Sequence, residues 1–91
     1  MPHPSDLTEA AIEDWCRAYM AKKLKRTPES IGREASFDSI GLDSAESVFM
    51  VAALEEWSGL ELSSDTAIEH PSLAQLSAFL VGVAAGQSAS R

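Results

Sequence analysis

Apolar residues return at helical spacing in three separate stretches, and nowhere do apolar and polar residues alternate over the length of a strand. That pattern restricts the chain to an all-α fold. The first stretch sets Ile12, Trp15, Cys16, Tyr19 and Met20 on one face of a helix predicted over residues 7–25. Asp6 and Glu9 open it at the spacing of a capping box. The second predicted helix starts at Asp43, paired in the same way with Glu46, and closes near Gly59. The last starts at Ser72, with Gln75 three residues on, and carries Leu73, Leu76, Leu80 and Val83 as its core stripe, with Phe79 on the flank. Between these two, Leu60 and Leu62 read as extended anchors, and residues 65–69 as a short turn of helix ended by Pro71. Three main helices and a minor one therefore form the expected bundle.

A chain of 91 residues supports one core. The expected division is an N-terminal extension at 1–6, a domain over 7–84 and a flexible tail at 85–91. No apolar run approaches the roughly 18 residues that suggest a membrane span, and no secretory leader pattern is visible. The one cysteine, Cys16, has no internal partner for a disulfide, which fits a reducing cytoplasm. On its predicted core stripe it reads as an inert buried thiol. His3, His70 and Cys16 do not have metal-ligand spacing, so no metal is expected.

Charge is unevenly placed. Seven basic and fourteen acidic residues give a net charge of −7, which disfavours nucleic acid and anionic membranes as partners. From residue 35 to 90 the acids Asp38, Asp43, Glu46, Glu55, Glu56, Glu61, Asp65 and Glu69 face no base at all in sequence. That half reads either as a soluble coat or as a surface that steers basic partners. The basic cluster of Lys22, Lys23, Lys25 and Arg26 lies late in the first helix, where cations complement the helix dipole without any nucleic acid.

Two features suggest a site. The segment 26–42, punctuated by Pro28, Gly32 and Gly41, is long for a loop, yet Ile31, Phe37, Ile40 and Leu42 give it anchors. A packed long loop that leads into a helix is a good place for function. The second helix is apolar on two sides: Ala45, Val48, Phe49 and Ala52 on one, with Glu55 and Glu56 at its margin, and Met50, Val51, Ala53, Leu54 and Trp57 on the other. A domain this small cannot cover both, so the Phe49 side reads as a docking face, unless Phe49 folds over the loop. Ser44, just inside the helix, lies among backbone N–H groups that favour a phosphate, although serines at helix starts are mostly structural.

Phe37-Asp38-Ser39-Ile40-Gly41-Leu42-Asp43-Ser44 resembles the attachment motif of acyl carrier proteins. The likeness continues through Val48, Leu54-Glu55-Glu56, Gly59-Leu60-Glu61-Leu62 and His70-Pro71-Ser72-Leu73 with Leu76, so it spans about residues 8–83. It implies a four-helix bundle on which a phosphopantetheinyl transferase attaches 4′-phosphopantetheine, taken from coenzyme A, to Ser44, beside Gly41, Leu42 and Asp43. It further implies a monomeric, non-catalytic carrier that holds acyl groups as thioesters for acyl-loading and condensing enzymes: a ketosynthase, an acyltransferase or an acyl-activating ligase. The wording at 54–57 and 70–73 is similar to carriers of modular polyketide synthases and related stand-alone carriers. Housekeeping fatty-acid carriers usually have Leu at the place of Ala45 and Glu at that of Phe49, and peptidyl carriers usually have Gly-Gly before the His-Ser or Asp-Ser pair. A housekeeping carrier, a peptidyl or aminoacyl carrier and an unmodified helical interaction module remain the alternatives. A serine hydrolase pairing Ser44 with His70 lacks the Gly-x-Ser-x-Gly elbow.

Overall fold

The computed structural model describes residues 7–89. Five α-helices succeed one another: α1 (Glu9–Leu24), α2 (Phe37–Ile40), α3 (Ser44–Ser58), α4 (Thr66–Glu69) and α5 (Leu73–Ala89). A 3-10 turn, Pro28–Ser30, precedes α2, and no strand occurs among the described residues. The bundle is the expected one with an extra short element. Residues 26–42 hold both the 3-10 turn and α2, which the sequence reading treats as plain loop. Elements of three and four residues are too short to show a periodicity.

The helix starts show how local chemistry sets boundaries. Asp43 caps α3, accepting the Glu46 N–H at 2.9 Å, and Ser72 accepts the Gln75 N–H at 3.3 Å, both as the capping signatures require. At α1 the cap is Thr8, whose hydroxyl accepts the Ala11 N–H at 3.1 Å. The helix thus begins at Glu9, later than expected, and Asp6 lies outside the described residues. Leu7 is buried just ahead of this cap. At the other end α5 runs on to Ala89, into the stretch expected to be a loose tail. Its Val81, Val83 and Ala84 still pack on the core, so the helix continues past the last leucine.

The core is built from the predicted stripes. Ile12, Cys16 and Met20 of α1 meet Leu73, Leu76, Leu80 and Ala84 of α5, and Met50, Val51 and Leu54 of α3 complete it. All four loop anchors, Ile31, Phe37, Ile40 and Leu42, are buried with them. Trp15 and Tyr19 are half-buried: the Trp15 ring stacks on Tyr19 at 5.5 Å and on Trp57 of α3 at 5.4 Å. Cys16 is fully buried, and desolvation pushes its thiol up to about 12. No described helix is long and apolar enough to cross a membrane.

Three arginines hold the long loop down. Arg17 Nε donates to the Ile31 carbonyl at 3.0 Å, and Arg26 donates to the carbonyls of Ile40 and Ser30 at 3.0 and 3.3 Å. Arg33 reaches back to Glu13 of α1 with bonds of 2.9–3.3 Å, and Ser77 of α5 donates to the same carboxylate at 2.8 Å. The Arg33 side chain, then the Ser77 hydroxyl, hold the buried Glu13 carboxyl below the usual carboxylate range despite its desolvation. The backbone joins in: the Ala74 N–H donates to Arg33 O at 2.9 Å, and the Phe37 N–H to Pro71 O at 2.7 Å. Arg26, grouped by sequence with the dipole-complementing bases, therefore has a tertiary role.

Candidate functional site

The loop, α2 and α3 converge on Ser44. Ser36 caps α2 by accepting the Ser39 N–H at 3.1 Å. At the far end of that helix the chain turns sharply at Gly41, whose φ of 109° is open to glycine and strained for other residues. The Gly41 and Leu42 N–H groups close back on Phe37 O at 3.2 and 2.9 Å. Leu42 then anchors in the core, Asp43 caps α3, and Ser44 is its first residue, with an exposed side chain. The sequence Gly-Leu-Asp-Ser is thus a turn, an anchor, a cap and a presented hydroxyl, in that order.

The geometry suits a phosphate ester. The first N–H groups of α3 lack partners within the helix and carry the positive end of its dipole toward Ser44. Beside the hydroxyl lies a hollow of about 170 Å³, lined by Phe37, Leu42, Ser47, Ala67, Ile68 and Pro71 as well as Asp38 and Ser44. A bulky group on Ser44 therefore has free space and a partly apolar wall beside it. Glu46, at the third position of the helix, buries Oε2 with no hydrogen-bond partner, so its side chain does not complete the reciprocal half of the capping box.

The apolar α3 face read from the helical spacing is open to solvent. Ala45, Phe49, Ala52 and Glu56 are exposed, Val48 is half-buried, and Phe49 is 58% exposed rather than folded over the loop. Ile68 of α4, which also walls the hollow, adds a second exposed apolar side chain at 49%. Glu55, read as lying at the margin of this face, also has a structural bond. It is half-buried, and its Oε2 accepts the Leu62 N–H at 2.8 Å, so it ties down the segment after α3. Sequence reasoning missed this because the partner is seven residues along the chain, outside any helical spacing. His70 ends α4 and stacks on Phe79 of α5 at 4.2 Å, a structural place consistent with its position before Pro71.

Comparison with known proteins agrees with this arrangement. Residues 14–80 match the family described as "Phosphopantetheine attachment site", and the chain belongs to that family. It is a carrier of the acyl-carrier type, a domain that bears covalently attached 4′-phosphopantetheine. The acyl carrier protein TtuC of Teredinibacter turnerae is 31% identical, over 81% of this chain and 85% of its own length. The nonribosomal peptide synthetase lenA of Aspergillus lentulus is 39% identical over 85% of the chain, and the non-reducing polyketide synthase crz7 of Cladonia metacorallifera 31% over 88%. The chain spans only 2% and 4% of those two large proteins. A free-standing peptidyl carrier protein from Acinetobacter baumannii superposes with a TM-score of 0.77 at 28% identity, over 85% of this chain and 96% of its own. An acyl carrier domain of the Lyngbya majuscula CurA module shares the fold, with a TM-score of 0.79 at 20% identity, over 97% of this chain and 89% of its own.

Proposed function

We propose that Ser44 is the attachment residue and that the arm it carries holds acyl groups for polyketide or specialised fatty-acid assembly. The observation that supports this is the Ser44 hydroxyl itself, exposed at the start of α3 and next to an apolar-walled hollow. In the transfer, Ser44 Oγ attacks the phosphorus of coenzyme A that bears the pantetheine. A new O–P bond forms, the pyrophosphate bond breaks, 3′,5′-ADP leaves, and the hydroxyl proton passes to a base of the transferase. The arm supplies a terminal thiol, on which an acyl group is held as a thioester. The carrier chain performs no bond chemistry of its own. It binds, presents and releases.

Partners would read the exposed α3 face. Phe49, Ala45 and Ala52 offer an apolar contact, with Glu56 at its edge, and the acidic second half of the chain favours enzymes with a basic rim. An apolar Phe49 relies less on salt bridges than a glutamate there would, and selects partners with an apolar groove of their own. A phosphopantetheinyl transferase and acyl-loading or condensing enzymes of cytoplasmic assembly lines are the partners this suits.

A peptidyl carrier is the second reading, supported by the likeness to lenA and to the free-standing peptidyl carrier. Gly41-Leu42 in place of Gly-Gly favours the acyl reading. Intact-mass measurement after incubation with coenzyme A and a promiscuous transferase tests the site: the native chain gains the arm, and Ser44→Ala gains nothing. The mass still attached to protein recovered from its own cells tests the cargo. An acyl group supports the first reading, and an aminoacyl or peptidyl group replaces it with the second.

A further inference from the structure

The geometry points to Arg26 as a positioning residue for the modification of Ser44, an inference that rests on Ser44 being the attachment residue. Arg26 is fixed at its root and at its tip. Its backbone N–H donates to Ala21 O at 2.9 Å, which locks it to the end of α1 just after Lys25 turns the chain with a left-handed φ of 56°. Its guanidinium then spans two carbonyls, Ser30 O at the end of the 3-10 turn and Ile40 O at the end of α2. The planar fork of arginine suits that span, whereas the single ammonium of lysine is a point donor.

The bond to Ile40 matters because it sits directly ahead of the turn into Ser44. Ile40 O is a terminal carbonyl of α2, with no partner available inside the helix. The next residue is Gly41, at the φ of 109°, and then come Leu42, Asp43 and Ser44. Gly41 is itself exposed between the buried Ile40 and Leu42, and a glycine between two anchored residues is the natural place for this segment to pivot. Arg26 holds the peptide plane immediately before that pivot against the end of α1. Arg17 and Arg33 grip the loop further back, at Ile31 and through Glu13, so neither substitutes for it. Arg26 touches none of the reacting atoms. It keeps the Ser44 approach in one geometry before the transferase arrives.

If the competent geometry falls to about a tenth of the population when this bond is lost, the apparent affinity falls by the same factor. The test is the steady-state kinetics of arm transfer to the whole chain, with coenzyme A and a purified promiscuous transferase. Arg26→Ala raises KM for the carrier about tenfold with kcat nearly unchanged, while circular dichroism retains the helical bundle. Amide exchange quickens at Gly41–Asp43 in the same variant. Arg26→Lys, which keeps the charge but not the fork, recovers only part of the loss. Arg17→Ala, which removes a comparable bond at Ile31, leaves KM within about twofold of the native value. Equal KM values for Arg26→Ala and Arg17→Ala overturn the inference and leave the Ser44 reading standing. Full recovery by Arg26→Lys also overturns it, because the effect would then be one of charge toward the transferase. Arm transfer to Ser44→Ala would remove the Ser44 reading itself, and this inference with it.

Discussion

Leu54 and Phe49 are close in sequence and opposite in consequence. Leu54 is 0% exposed in the core, and Phe49 is 58% exposed on the same helix as Ser44. Leu54→Ala removes buried methyl groups and leaves a cavity, so chemical denaturation is expected to show a loss of about 2–5 kcal/mol. Phe49→Glu gives up little buried area and changes the melting temperature slightly. Its effect falls on partner enzymes, whose turnover of the loaded carrier declines while the fold persists. A melting temperature lowered as much as by Leu54→Ala would place Phe49 in the core. The two faces were legible in sequence because a period of 3.6 separates them without knowledge of the fold. Glu55 was not, since its bond to Leu62 N depends on how the chain turns after Gly59.

At the scale of the element, the same backbone geometry is occupied well in one place and poorly in another. Gly41 takes φ of 109° at the end of α2, and Lys25 takes φ of 56° at the end of α1. A side chain in the left-handed region costs roughly 1–2 kcal/mol. Lys25→Gly is therefore expected to raise stability by about 1 kcal/mol, and Gly41→Ala to lower it by at least as much through backbone strain, because beyond its chain neighbours nothing lies within 4 Å of the added methyl. Opposite shifts in the denaturation midpoint check the pair. The starts of α3 and α5 were legible because a cap and its N–H lie within one turn. α2 has a local cap too, Ser36 on the Ser39 N–H, but it is only one turn long and shows no apolar repeat, and its place is fixed by Arg26 and by the Phe37–Pro71 bond. Those partners are distant in sequence and invisible to any window along it.

Across the whole molecule, Glu13 joins α1, the loop and α5 through Arg33 and Ser77. Its carboxyl titrates below the ordinary range in the folded chain and within it when unfolded. The stability it contributes is therefore present above the unfolded value and lost as pH falls through the folded one. Glu13→Gln is expected to cost about 1–2 kcal/mol near neutrality, the lower part of the range because Arg33 is half-exposed. It should also flatten the acid limb of the stability profile; an unchanged limb would show that other carboxylates govern it. In sequence Glu13 reads as one more acid at the start of a helix. Only the assembled bundle brings Ser77, from the far end of the chain, onto it.

The buried sulfur of Cys16 has a consequence for the arm proposed on Ser44. Its thiol is sealed in the core and pushed up to about 12, so almost none of it is thiolate at neutral pH. The chain contains no other cysteine. A thioester at the tip of the arm thus has no competing sulfur on its own scaffold to which the cargo could migrate. For the same reason, an alkylating reagent applied to the native, armed protein should record the free tip alone, distinguishing empty carriers from charged ones by a single adduct.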